Sequence, residues 1–222
     1  MKKIKESFLG AVVLTMVFAL IFFIAEPVLS LAIEDQFIVS QTITSEISFA
    51  TTAQDVTMTP SLGGITGGTS NGTTTVVVLT NDSSGYTMTI KASSSPAMQD
   101  DTSTDSIPDY TPASASVPDF TYSVPTGAEF GYSVSASTTA DLAQKFKDDG
   151  ASTCNTGSAD TGGMGSCWYG LSTTATSTIF RSTATPASGS TSSIAFKLTI
   201  NSGSFITEGV YKATTTLTAT TN

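Results

Sequence analysis

Apolar and polar residues alternate along four stretches of this chain, and a period of two is the pattern of a strand with one buried face. The four stretches are residues 36–49, 130–137, 194–200 and 209–220. In the first of them, one face would consist of Phe37, Val39, Gln41, Ile43, Ser45, Ile47 and Phe49. We predict a strand over each stretch, and the first is the longest.

A further strand is predicted by a continuous run of Thr, Val and Leu over residues 73–80, because β-branched residues favour an extended backbone. Residues 81–85 contain Asn, Asp, Ser and Gly and indicate a turn. Residues 86–92 alternate as well, as a fifth stretch. Two strands joined by a short loop of this kind are typical of a hairpin, so we predict that 73–80 and 86–92 pair with each other.

The remaining patterns are weaker. Residues 55–59 and 176–181 predict short strands, and residues 140–147 predict a short helix with two apolar residues four positions apart. Residues 93–127 carry repeated prolines and acidic residues and indicate an irregular stretch. The part of the chain between the regular strands is therefore expected to be loop-rich.

Together these elements predict an all-β fold, an antiparallel two-sheet sandwich of Ig-like or jelly-roll-like type with one short helix. We predict a single sandwich domain over residues 33–222. An irregular inserted region at about 93–190 contains the short helix, and an apolar helix precedes the domain.

The N-terminus has the composition of an export signal. Three lysines lie among the first five residues, an uncharged apolar run covers residues 8–25, and Ser30-Leu31-Ala32 places small residues where a signal peptidase reads. We predict cleavage after Ala32. The alternative is an uncleaved membrane anchor through residues 8–25, since roughly 20 apolar residues span a bilayer. In both cases the remainder is expected to be extracellular or at the cell surface.

Composition excludes several classes of function. The formal net charge is −9, and such a chain repels nucleic acid, so we expect no nucleic-acid partner. The chain has no histidine, which excludes Ser-His-Asp and Cys-His nucleophiles and removes the commonest transition-metal ligand. We therefore expect neither enzyme activity nor a cofactor.

Two cysteines, Cys154 and Cys167, lie in a Gly- and Ser-rich stretch. In an exported protein a single pair of this kind predicts a disulfide that closes a small loop. Trp168 follows the second cysteine directly. We expect its ring to cover the sulfur bridge, and the alternative is a ring that stacks on a ligand.

Acidic residues in the middle of the chain are weak candidates for a calcium site: Asp100, Asp101 and Asp105, followed by Asp109. Calcium takes about six to eight oxygen ligands from a compact loop. The spacing of these residues does not match an EF-hand, and an acidic loop that is simply solvated is the alternative.

The order of the elements resembles the Thr-rich exported β-sandwich proteins of bacterial envelopes, including WxL-type surface domains and subunits of spore-coat and fimbrial type. The resemblance rests on TTTVVVLTNDSSGYTMTIKA at residues 73–92 and GVYKATTTLTAT at residues 209–220, and it covers residues 36–95 and 190–222. Trp168-Tyr169-Gly170-Leu171 has one residue more than a Trp-x-Leu signature. The resemblance implies a role at the cell surface.

The sequence thus predicts a non-catalytic exported cell-surface or structural protein, such as a filament or coat subunit. The alternating stretch 36–49 either pairs within its own sandwich or is donated to the open sheet edge of a neighbour. The expected partners are other copies of the chain or other envelope proteins. An adhesin or carbohydrate-binding module, with glycans as partners, is the alternative function.

Overall fold

The computed structural model describes residues 2–24, 33–102 and 104–222, and within the N-terminal helix it describes the side chains of residues 8–21. The chain forms two compact units, Met1–Ile43 and Thr44–Asn222. The predicted cleavage site at Ala32 lies outside the described residues. In the described part of the chain, no helix is long and apolar enough to cross a membrane.

The first unit contains helix α1, Lys2–Ile24, which confirms the predicted apolar N-terminal helix. From Ser7 to Ile24 its sequence carries no charged residue. After the undescribed stretch, residues 33–43 form neither helix nor strand.

The described residues of the second unit form eleven strands and three single turns of 3₁₀ helix. The strands are β1 Ile47–Thr51, β2 Gly68–Thr80, β3 Tyr86–Ala92, β4 Met98–Asp100, β5 Ser106–Ile107, β6 Ala128–Ala136, β7 Tyr169–Gly170, β8 Thr176–Arg181, β9 Ser190–Ile200, β10 Tyr211–Ala213 and β11 Thr215–Thr221. The 3₁₀ turns are Thr139–Asp141, Gln144–Phe146 and Gly163–Gly165.

These strands form antiparallel sheets that pack against each other, and the predicted all-β sandwich is confirmed. One sheet has the order β1-β2-β9-β6-β7 and the facing sheet has the order β11-β3-β8. A short third sheet, β10-β4-β5, continues from the ends of β11 and β3. The core between the sheets contains Val76, Val78, Tyr86, Met88, Ile90, Phe130, Tyr132, Val134, Ile179 and Ile194.

Strand β9 is the centre of the larger sheet because it pairs with β2 on one side and β6 on the other. Its predicted alternation is confirmed: Ile194, Phe196, Leu198 and Ile200 are buried in the core. On the outer face, hydroxyl groups pair across to β2, with Thr75 Oγ1 and Ser193 Oγ 3.0 Å apart. Cross-strand pairs of this kind suit the Thr- and Ser-rich composition.

The predicted hairpin between 73–80 and 86–92 is wrong. Strand β2 pairs with β1 and β9, whereas β3 pairs with β8 and β11 in the opposite sheet. The connection at residues 81–85 therefore crosses between the sheets. The physical reason is that each strand has one strongly apolar face, and placing these faces opposite each other buries both in one core.

The first predicted strand is much shorter than the 36–49 pattern indicated. Pairing begins at Ile47, opposite Thr80 at the end of β2, and residues 33–46 form no strand. An alternating pattern shows which residues would share a face of a strand, but it does not provide a neighbouring strand for the backbone hydrogen bonds. The predicted 55–59 strand reduces to one bridge between Thr59 and Asn71.

The predicted helix at 140–147 is also wrong, because two 3₁₀ turns with an extended break stand in its place. In the break, Leu142 forms a bridge to Ile179 and the amide of Ala143 donates to the carbonyl of Thr178. Pairing with β8 therefore replaces the helical hydrogen bonds. Leu142 and Phe146 are nevertheless buried.

Candidate functional site: an open sheet edge and an exposed alternating segment

Strand β11 forms one edge of its sheet. It pairs with β3 in continuous register from Thr215 to Thr221. In the described part of the chain, no backbone hydrogen bond reaches its opposite side. The strand contains no charged residue and no proline, two features that commonly protect sheet edges from pairing. It is therefore able to accept another strand.

The core is incompletely covered on this side of the sandwich. Strands β1 and β11 lie next to each other there, one from each sheet. Their inward side chains are only partly buried: Ile47, Phe49, Leu217 and Ala219. On the neighbouring strand β3, by contrast, Met88 is 0 % exposed and Ile90 is 1 % exposed. We call the side of the sandwich between β1 and β11 the open side.

Residues 33–43 present large apolar side chains to solvent. Phe37 is 82 % exposed, Val39 85 % and Ile43 84 %, all on one face of the predicted alternation. Ile38, on the other face, is 94 % exposed. Soluble proteins tolerate isolated exposed apolar residues, but a concentration of them within one short segment indicates an interaction site.

The point where the chain enters the sandwich is firmly attached to the turn at 81–85. The side chain of Asn81 donates to the carbonyl of Thr44 at 3.0 Å and accepts from the amide of Glu46 at 2.7 Å. The hydroxyl of Ser45 donates to Asp82 at 2.7 Å. This bond, aided by the amide of Ser84, lowers the pKa of Asp82. The sandwich thus begins in a defined position at Thr44.

The opposite side of the sandwich, formed by β7 and β8, is covered, and we call it the covered side. The edge of β8 is bridged at Ile179 by Leu142. Beside β7, the amide of Trp168 donates to the carbonyl of Asp119 at 2.7 Å and the reverse bond measures 3.0 Å. Segments of the irregular middle region therefore occupy the edges that would otherwise be free.

Aromatic residues extend this cover over the outer face of the larger sheet. The rings of Tyr110 and Tyr122 stack at 4.4 Å between centroids, and Tyr122 meets Trp168 edge-on at 5.2 Å. Gly131 permits this packing, because a side chain there would have its Cβ 2.8 Å from that of Tyr110. The ammonium of Lys197 lies 4.3 Å from the centre of the Trp168 ring, and burial lowers its pKa.

The expectation that the Trp168 ring covers the disulfide is wrong. Trp168 belongs to this outer cluster with Tyr110 and Val124, whereas both cysteines belong to the main core. The ring is 2 % exposed, and its Nε1 donates to the carbonyl of Gly165 at 3.0 Å. A tryptophan buried in this way offers no face on which a ligand could stack.

The predicted disulfide is confirmed, since Cys154 is bonded to Cys167. The turn before the first cysteine is organised by Asp149, whose carboxylate accepts the amides of three residues at 2.9–3.0 Å: Ala151, Ser152 and Thr153. These amides, that of Thr153 foremost, lower the pKa of Asp149 to about 2.

The calcium candidates lie at the end of β4 and in the connection from β4 to β5. The carboxylate of Asp100 accepts from the amide of Thr102 at 2.7 Å, and that of Asp101 pairs with Lys212 at 2.6 Å. The carbonyl of Asp105 accepts from the amide of Asp100. In the described part of the chain, no three acidic or sulfur side chains are grouped to hold a metal ion.

One buried ion pair was missed by the sequence reasoning. Arg181, at the end of β8, contacts the carboxylate of Asp141, and both side chains are largely buried. Their separation of forty positions gave no local signal. The free edge of β11 was missed for the same reason, because the face of a strand follows from its sequence but its neighbours do not.

Comparison of this chain with protein-family models, with curated proteins and with solved structures finds no match.

Proposed function

We propose that this protein is a non-catalytic, exported structural subunit that assembles with copies of itself by donating residues 33–43 to the sandwich of a neighbour. The observation that carries the proposal is the exposed alternating segment on the same chain as an unpaired sheet edge. In strand addition, backbone hydrogen bonds supply affinity and alternate side chains supply specificity. The chain has an unpaired edge for the backbone hydrogen bonds and a segment whose alternate side chains are apolar.

The energetics favour burial of the segment. Fully burying a large apolar side chain contributes about 1.5–3 kcal/mol. Phe37, Val39 and Ile43 would enter an interface together, because alternate residues of a strand share one face. Three such side chains are enough to offset part of the cost of ordering an extended segment and of association.

The export signal expected at the N-terminus supports the same proposal. Cleavage after Ala32 would place the segment at the start of the mature chain, where it is free to join another subunit. The lysines and apolar run of the leader support this location. Strand donation would then begin outside the cell, after the leader is removed.

A triple variant tests the proposal: Phe37→Asp, Val39→Asp and Ile43→Asp. The full gene product is exported and purified, and N-terminal sequencing records where the mature chain begins. We expect the wild-type protein to form large assemblies in sedimentation and negative-stain microscopy, and the triple variant to remain monomeric. Ionised carboxylates on the donated face would have to be buried without partners.

The matched control is Ile38→Asp. This residue is as exposed as the others but lies on the opposite face, so the variant should assemble almost like the wild type. A wild-type protein that stays monomeric at all concentrations would contradict the proposal. A triple variant that unfolds at a much lower temperature as a monomer would show instead that the segment pairs within its own chain.

A further inference from the structure

We infer that the acceptor for the donated segment is the unpaired edge of β11, and that the donated apolar face lies over the open side. The occupant is residues 33–43 of a second copy of this chain. This inference rests on the proposed function and assigns the receiving surface that the function needs. It follows from four observations on the sandwich.

The first observation is that the other long edges are occupied. Strand β8 is bridged by Leu142 and bonded through the amide of Ala143. Strand β7 is only two residues long, and the carbonyl of Tyr110 lies against Gly170 so closely that a Cβ would not fit there. Both belong to the covered side. The candidates that remain among the long sheet edges are β1 and β11.

The second observation distinguishes β11 from β1. Strand β1 has five residues, and its pairing with β2 shifts register between Phe49 and Thr51. Strand β11 has seven residues in unbroken register and continues from β10 after a single residue. The unbroken edge from Thr215 to Thr221 has seven residues, the same number as the part of the donor from Phe37 to Ile43. A regular ladder of this length suits an extended donor.

The third observation concerns side-chain size. The inward positions of β10 and β11 include small residues, Ala213, Thr215 and Ala219, and they are partly exposed. The donated face carries the larger residues Phe37, Val39 and Ile43, with the polar Gln41 between the last two, and Asp35 precedes them on the same face. Large side chains placed beside small ones would fill the incompletely covered core, as close packing requires.

The fourth observation is the lack of protection. Natural sheet edges are commonly guarded by charges, proline or bulges, since an unguarded edge pairs with other chains. Strand β11 contains only Thr, Leu and Ala. An exported protein that keeps such an edge needs a partner for it. The alternating segment on the same chain has the matching pattern.

The test is an acceptor variant, Ala219→Lys, with Thr218→Lys as its matched control. Position 219 faces the open side and is partly buried, whereas position 218 faces outward and is exposed. We expect the first variant to raise the concentration needed for assembly about 100-fold, since an unpaired interfacial charge costs this much affinity. The control should assemble like the wild type, and both should keep the wild-type melting temperature as monomers.

A mixing experiment makes the assignment sharper. The triple donor variant retains an intact acceptor, and Ala219→Lys retains an intact donor. Neither should polymerise alone, but an equimolar mixture should form 1:1 dimers that grow no further. Dimer formation by the mixture would support separate donor and acceptor surfaces. Absence of dimers, with both variants folded, would overturn the assignment.

Hydrogen exchange on the unmodified protein provides a second readout that needs no variant. Backbone amides of residues 215–221 should exchange more slowly in assemblies than in monomers. Unchanged exchange there, or an Ala219→Lys protein that assembles normally while the triple donor variant does not, would overturn the β11 assignment and leave strand donation intact. A triple donor variant that assembles like the wild type would overturn strand donation itself.

Discussion

The two sides of the sandwich treat their sheet edges in opposite ways. On the covered side, the irregular middle region bridges β8 and packs Tyr110, Tyr122 and Trp168 over the larger sheet. On the open side, β1 and β11 lie next to each other, and their inward apolar residues are only partly buried. The middle region therefore protects one side of the sandwich, and the other side is the one that we propose a second copy covers.

The comparison also assigns a role to the region between the regular strands. Its aromatic residues Tyr110, Tyr122 and Trp168 pack together beside the larger sheet, and both cysteines of its disulfide belong to the core. The region stabilises one side of the sandwich. This interpretation predicts that substitutions on the two sides have unequal costs for the monomer.

The largest effect is expected for Trp168→Ala on the covered side. Truncating a fully buried aromatic residue costs about 3–5 kcal/mol, because it removes apolar contact and leaves a cavity. Here the substitution also removes the hydrogen bond to Gly165 and the contact with Lys197. Denaturant unfolding of the monomeric triple donor variant, with and without Trp168→Ala, would measure the loss.

Leu217→Ala on the open side is the control for that experiment. Its side chain is partly exposed, so the cost to the monomer should be about 1 kcal/mol, well below the range for a fully buried leucine. Equal losses in the free energy of unfolding for Trp168→Ala and Leu217→Ala would contradict the distinction between the covered side and the open side. In assemblies, Leu217→Ala should cost more than in the monomer.

An intermediate effect is expected on opening the disulfide. A bridge that closes a loop of this size contributes about 3 kcal/mol on the chain-entropy estimate, through the unfolded state. The double variant Cys154→Ser and Cys167→Ser should lose about that much stability in denaturant unfolding. Assembly at a temperature where the variant is folded should persist, because neither cysteine belongs to β1 or β11. If the folded variant failed to assemble, assembly at the open side would depend on the disulfide, and this outcome would contradict the proposed independence of the two sides.

The smallest effect is expected for Asp149→Asn. The folded-state pKa of Asp149 is about 2, below the ordinary value of 3.8. Its stabilising contribution is therefore complete above about pH 4 and is lost as the pH falls through about 2. The stability difference between wild type and variant should be constant at neutral pH and should shrink over that acid range. A difference that stays constant down to pH 2 would contradict the role of the three amide bonds.

Sequence patterns predicted the faces of strands better than their neighbours. The alternation of 194–200 and the inward positions of 209–220 agree with the structure, because each residue's face follows from the period of two. The hairpin between β2 and β3 failed because a short polar loop fits a hairpin and a crossing between sheets equally well. Pairing depends on distant residues such as those of β9 and β11.

The failed strand at residues 36–46 is the most informative difference. Its pattern is as regular as that of 194–200, yet it forms no ladder in the monomer. A strand needs both a face to bury and an edge to bond, and the sequence supplies the first alone. In the proposed interface, the β11 edge of a second copy would supply the backbone hydrogen bonds that the segment lacks in the monomer. The pattern would then describe the assembled state rather than the isolated chain.

The free edge of β11 also has a consequence for symmetry. It differs from the segment that it is proposed to receive, so a contact between them joins two unlike surfaces and leaves one of each unsatisfied at the ends. Repetition of such a heterologous contact produces either a closed ring, of which a reciprocal exchange between two copies is the smallest, or an open helical polymer. The polymer would be polar, with one end that presents an empty β11 edge and another that presents a free segment.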